Sequence, residues 1–112
     1  MTPQVVVILT TLLRATTGEL GDEPMKHGMY AYELSNATGI PTGTIHPILK
    51  RLVKRGYAHD TWREIQSRRR RYYRLSNQGR MQATAAKQIY RYVVPSKTRS
   101  VPAEVTQLII DA

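Results

Sequence analysis

Apolar residues recur along this 112-residue chain at helical spacing in five stretches and at strand spacing in one region. Thr2-Pro3 reads as an N-cap with proline at the first helical position. Val5, Ile8, Leu9 and Leu12 then repeat every three or four residues, predicting a helix from Pro3 to about Arg14 or Ala15. Val6, Val7 and Leu13 extend apolar surface well around that cylinder, so the helix needs both a core and a second subunit to cover it. Residues 16–28 hold three glycines, a proline and the main acidic cluster, and predict a surface loop. A second helix is expected from Met29 to Thr38, with Gly39 at its end and Pro41 just beyond. Tyr30 and Leu34 share one face of it, and Ala31 and Ala37 are available for close packing.

A third helix follows, with Thr42 as its cap and Gly56 as its stop. At 100° per residue, Ile45, Ile48, Leu49, Leu52 and Val53 gather on one side, and His46, Pro47, Lys50, Arg51 and Lys54 on the other. Pro47 falls early enough to cost few intrahelical bonds. The rhythm then changes. Residues 57–63 and 70–75 read as two strands of a hairpin with a basic tip at 64–69, Tyr73 and Leu75 facing the core and Tyr72 and Arg74 outward. Ser76 caps a last long helix over about Asn77 to Val94, stopped by Pro95. Its expected apolar stripe is Met81, Ala85, Ile89, Tyr92 and Val93, and its wet side Arg80, Lys87 and Arg91. A final short amphipathic turn or helix carries Val101, Val105, Leu108 and Ile109.

Charge changes this picture from scaffold to surface. The chain holds 17 Lys and Arg against 8 Asp and Glu, a formal charge of +9. Residues 42–80 alone contain 11 basic and 2 acidic side chains, so the whole surplus falls on the third helix and the hairpin. Clustering of that kind favours a face for a polyanion over ordinary solubility. A hydrophobic fraction of 41% argues against a disordered basic tail. With no cysteine, thiolate chemistry and disulfides are excluded, and the aliphatic run Val5 to Leu9 is far too short to span a bilayer. A cytoplasmic protein without membrane contact is expected. His27, His46 and His59 are isolated, no catalytic constellation is legible, and neither an enzyme, a metal site nor a cofactor is expected.

Helix, helix, tight turn, helix and hairpin is the order of a winged helix-turn-helix, in which the second helix of the turn enters the major groove. The expected fold class is therefore mainly α with a two-stranded β wing and a long C-terminal dimerisation helix. Residues 1–76 would form the DNA-binding unit and 77–112 the dimerisation segment of one domain. Thr42-Gly43-Thr44-Ile45-His46-Pro47-Ile48-Leu49-Lys50-Arg51-Leu52, the Arg55-Gly56 stop, Arg70-Arg71-Tyr72-Tyr73-Arg74-Leu75-Ser76 and Gly79-Arg80 resemble the PadR-like transcriptional regulators. Tyr30-Ala31-Tyr32-Glu33-Leu34 matches that family's second-helix motif loosely. The resemblance covers about Met29 to Arg80 and implies a homodimer, in most members a repressor. Two departures stand out: His46 replaces the usual tyrosine, and the acidic stretch from Gly18 to Gly28 looks inserted. Tyr90 and Tyr92 lie in the last helix without a tryptophan, so the effector pocket of some members is not carried over and any small-molecule effector stays unknown.

The expected function is a dimeric, sequence-specific regulator that binds double-stranded DNA at an inverted repeat. Thr42, Gly43 and Thr44 would meet phosphate, and His46 and Lys50 would approach base edges, with Pro47 on the same DNA-facing side. Arg51 and Lys54 would hold the backbone together with Arg68, Arg69, Arg70, Arg71, Tyr72 and Arg74 of the wing. Dimerisation is assigned to Val6, Leu13, Ile89, Tyr92, Val93, Val105, Leu108 and Ile109. Two alternatives stay open, a plasmid or phage accessory DNA-binding protein and a winged module that binds protein or RNA.

Overall fold

The computed structural model describes residues 2–93, with side chains as far as Gln88. Five helices and one two-stranded antiparallel sheet follow in the order α1 (Pro3–Thr16), α2 (Asp22–His27), α3 (Ala31–Thr38), α4 (Thr42–Lys54), β1 (Ala58–Ile65), β2 (Arg68–Leu75) and α5 (Asn77–Val93). This is the winged helix-turn-helix layout expected, mainly helical with a β wing. The expected turn at Val101, Val105, Leu108 and Ile109 lies outside the described residues.

α1 starts where its cap predicts: Thr2 Oγ1 accepts from the Val5 amide at 3.4 Å. Val6, Val7, Ile8, Leu9, Leu12 and Ala15 are all buried, so α1 is the central post of the domain. It packs on α5, β2, α3 and α2, and Leu13 is partly buried against the same core. Val6, expected above at the subunit interface, is only 3% exposed in the single chain. Among the other helices, the core is completed by Leu34 of α3 and by Ile45, Ile48, Leu49 and Leu52 of α4.

The acidic segment departs from the loop expected. Residues 22–27 form the short surface helix α2, none of whose residues is buried, with acids in its first turn and Lys26 and His27 in its last, as the helix dipole favours. Met29 is not helical either. It pairs with Tyr73 as a one-residue third strand, its amide donating to the Tyr73 carbonyl at 3.0 Å and its carbonyl accepting from the Tyr73 amide at 2.8 Å. Gly28 makes this approach possible, with φ +82° and space so tight that a Cβ would stand 2.2 Å from the Tyr73 carbonyl oxygen. α3 therefore begins at Ala31, with the Glu33 carboxylate accepting from the Tyr30 amide at 3.2 Å. Ala31 is buried as expected, but Ala37 faces solvent.

Thr38 closes the helix-turn-helix: its buried hydroxyl donates to the Leu34 carbonyl at 2.7 Å and accepts from the Ile40 amide at 3.1 Å. Pro41, not Thr42, is the N-cap of α4, so Thr42 is the first helical residue and makes no side-chain cap. The wing is longer than its sequence suggests. β1 and β2 pair from Ala58↔Leu75 out to Ile65↔Arg68, leaving Gln66 and Ser67 as a two-residue turn with φ +52° and +64°. That turn needs two left-handed residues and here neither is glycine, which is why six residues read as a tip. Ser76 joins the wing to α5, donating to the Gly56 carbonyl and accepting from the Gly79 amide at 3.0 Å.

The apolar phase of α5 is also corrected. Gly79, Ala83 and Ala86 face inward, whereas Met81 is 72% exposed and Ala85 is exposed. Small residues let α5 pack closely, and at Gly79 a Cβ would lie only 1.8 Å from the Tyr57 carbonyl oxygen. Arg80 is exposed as expected, while Lys87 is half-buried. The side chains of Ile89, Tyr92 and Val93 lie outside the described residues.

Candidate nucleic-acid interface

α4 is built so that burial on one side fixes what the other side presents. Ile45 and Leu49 are fully buried and Ile48 and Leu52 nearly so, while Gly43, Thr44, His46, Pro47, Lys50, Arg51 and Lys54 are exposed and Thr42 half-exposed. Pro47 stands inside the helix, where it removes one intrahelical bond near the N-terminus without ending it. The amides of Thr44 and Ile45 both close onto the Pro41 carbonyl at 3.0 and 3.1 Å. Those of Thr42 and Gly43 remain as open donors of the first turn, where the helix dipole favours an anion. No ion pair or side-chain hydrogen bond engages Lys50, Arg51 or Lys54 among the described residues.

The wing presents its charge differently. Strand alternation splits the arginine run: Arg69 and Arg71 share a face with Asp60, Trp62 and Glu64, and Arg68 and Arg70 share the other with Arg63 and Tyr72. On the first face Arg71 is ion-paired to Asp60, its own pKa raised chiefly by that hydrogen bond, and the Arg69 guanidinium stands 4.7 Å from the Trp62 ring centre. On the second, Arg70 donates to the Tyr30 hydroxyl at 3.0 Å and stacks 4.5 Å from that ring. Arg63 covers the Tyr72 ring at 4.9 Å. Each such cation–π contact lowers the freedom a long side chain would otherwise lose on binding.

Tyr72 corrects the expectation of an outward residue. It does point away from Tyr73, but Tyr30, edge-on at 5.3 Å, and Arg63 cover it to 6% exposure. Tyr73 is buried on the core side, and burial raises its phenol pKa. The hairpin root is thus packed on both faces, because the acidic segment borders it. Arg68, Arg69, Arg71 and Arg74 are exposed and Arg70 half-buried.

Residues 24–85 match the model of the transcriptional regulator PadR-like family, more than half of the chain. The chain belongs to the PadR-like family of transcriptional regulators. It is accordingly a DNA-binding regulator and not an enzyme. The fold is similar to the crystal structure of a PadR family transcription regulator from hypervirulent Clostridium difficile, with a TM-score of 0.59 and 22% identity over 80% of this chain and 88% of that one. No curated protein matches the chain. Among the described residues no helix is long and apolar enough to cross a membrane.

Several residues that shape this PadR-like surface escape a reading by charge alone. Trp62 is 52% exposed beside two arginines, and Tyr32, 62% exposed, stacks on Tyr30 with ring centres 6.4 Å apart. Arg63 and Tyr30 hold the second face of the wing. An exposed aromatic opposite an arginine at strand spacing is the signal that could have found Trp62. Glu33 sits half-buried near Arg63 and Arg70; burial raises its pKa, and the Tyr30 amide and the two arginines pull it back in part.

Proposed function

We propose that this regulator binds double-stranded DNA as a homodimer, reading an inverted repeat and acting as a repressor by occupying it. The observation that carries the reading is the exposed cationic face of α4, rigidly backed by Ile45, Leu49 and Leu52 and bordered by a wing that carries Arg68, Arg69, Arg70 and Arg71. His46 and Lys50 meet base edges in the major groove. Thr42, Gly43, Thr44, Pro47, Arg51 and Lys54 line the phosphates, and the wing with Arg74 lies on the flanking backbone or minor groove. Tyr72 supports the wing from beneath rather than touching DNA.

The outward face of α5 supports the dimer. Met81 and Ala85 leave an apolar strip at helical spacing that the single chain does not cover. Leu13, Ile89, Tyr92, Val93, Val105, Leu108 and Ile109 are assigned to the same assembly. A two-fold axis would set the recognition helices about one DNA turn apart, roughly 34–36 Å. Selection of bound sequences from a random DNA pool, combined with sedimentation of the purified protein, tests the reading. The expected result is a dimer and an inverted repeat with that spacing. A monomer that selects a single asymmetric half-site would overturn it, and binding without sequence preference would favour an accessory DNA-binding protein.

A further inference from the structure

Between α2, the start of α3 and the outer face of the wing lies an open cleft of about 420 Å³, lined by Glu23, Pro24, Gly28, Glu33, Arg63, Ile65 and Tyr72. Its volume falls within the range of small-ligand sites. It is separate from the α4 surface and from the exposed strip of α5. Its chemistry is cation recognition, because the protein already places a guanidinium there. The Arg63 side chain, only 26% exposed, lies 4.9 Å from the Tyr72 ring centre and 4.0 Å from the Glu23 carboxylate. Glu33, half-buried, faces the same space with one oxygen engaged by the Tyr30 amide. Two carboxylates and one aromatic face therefore border the Arg63 guanidinium, with Arg70 also near Glu33 and His27 3.6 Å from Glu23 at the rim, and the cleft between them stays open. Pro24 and Ile65 add apolar wall for the body of a ligand.

We propose that this cleft binds a small organic cation with a planar guanidinium or amidinium head, stacked on Tyr72 in place of Arg63 and paired with Glu33 and Glu23. Such a ligand returns Arg63 to solvent on the wing face that carries Arg68 and Arg70. The site stands independently of how the protein reads DNA, since binding is measured on the free protein.

Benzamidine is the probe, titrated into the full chain and followed by amide and arginine Nε shifts in heteronuclear NMR spectra. Saturable shifts are expected at Gly28, Glu33 and the Arg63 Nε, in the roughly millimolar range that so small a ligand allows. Neutral benzamide, of the same shape, should leave these signals unmoved. Glu33→Gln keeps an oxygen for the Tyr30 amide and should weaken binding roughly tenfold. Glu23→Gln, at an exposed position on α2, should weaken it roughly twofold to threefold. Arg63→Ala removes the internal competitor and should tighten binding, an outcome that a merely structural role for Arg63 does not give. Absence of saturable shifts, equal binding of benzamide, or weaker binding by Arg63→Ala would each overturn the site. DNA affinity without benzamidine is unaffected by that failure, so the two readings fail separately.

Discussion

α4 and the wing carry comparable positive charge and present it by opposite means. On α4 the cations have no partners among the described residues; their direction is set by what lies beneath, where Ile45 and Leu49 are wholly buried. On the wing, core burial stops near Ala58, Tyr73 and Leu75, and farther out Arg71, Arg69, Arg70 and Arg63 are held by Asp60, Trp62, Tyr30 and Tyr72. Helical packing orders a face without touching it, whereas an outlying hairpin has to order its long side chains through one another. Charge on α4 is thus fully available to a partner, and part of the charge on the wing is already offset.

The strongest way to break this contrast is to remove the support of α4. Leu49→Ala should cost about 2–5 kcal/mol, the usual loss for a large buried aliphatic, visible in chemical denaturation and with it the loss of DNA binding. Trp62→Ala, a larger truncation but at a position 52% exposed, should change stability by under about 1 kcal/mol. Equal losses for the two would mean that the wing is packed as α4 is.

Next in size is the joint that docks the acidic segment on the wing. Gly28→Ala forces a side chain into a left-handed position against the Tyr73 carbonyl and should cost about 1–3 kcal/mol. Amide exchange should quicken first at Met29 and Tyr73, whose hydrogen bonds form the bridge. Unchanged exchange there would show that the wing root does not depend on this pairing.

Lys50→Ala combined with Lys54→Ala sharpens the comparison from the other side. Both residues are exposed, so the thermal midpoint should hold, while the slope of log affinity against log salt should fall by about 1 for the phosphate contact of Lys54 and the preference for the selected site should weaken with the loss of Lys50. An unchanged slope with intact circular dichroism would remove α4 from the interface. The smallest effect belongs to Asp60→Asn. Its ion pair with Arg71 is partly exposed and worth under about 1 kcal/mol of stability, but its loss releases a cation, so affinity for non-specific DNA at low salt should rise modestly. A fall instead would mean that Arg71 binds DNA only when Asp60 orients it.

Local pattern alone determined the order of the elements other than α2, the start of α1 at Thr2-Pro3, the two-sided character of α4 and the concentration of charge on residues 42–80, because period, caps and counts are properties of neighbours in sequence. What it could not decide were contacts across the chain. Met81 and Ala85 look like core at helical spacing, yet the smaller Gly79, Ala83 and Ala86 take the inner face, since only they let α5 approach closely. Tyr72 alternates outward as its strand period demands, and it is the arrival of Tyr30 from 42 residues earlier that buries it. The turn at Gln66 and Ser67 carries no glycine to announce it; the register from Ala58↔Leu75 outward settles where the strands end. The division of the arginine run onto two faces with different partners follows from that register, and so belongs to the tertiary structure alone.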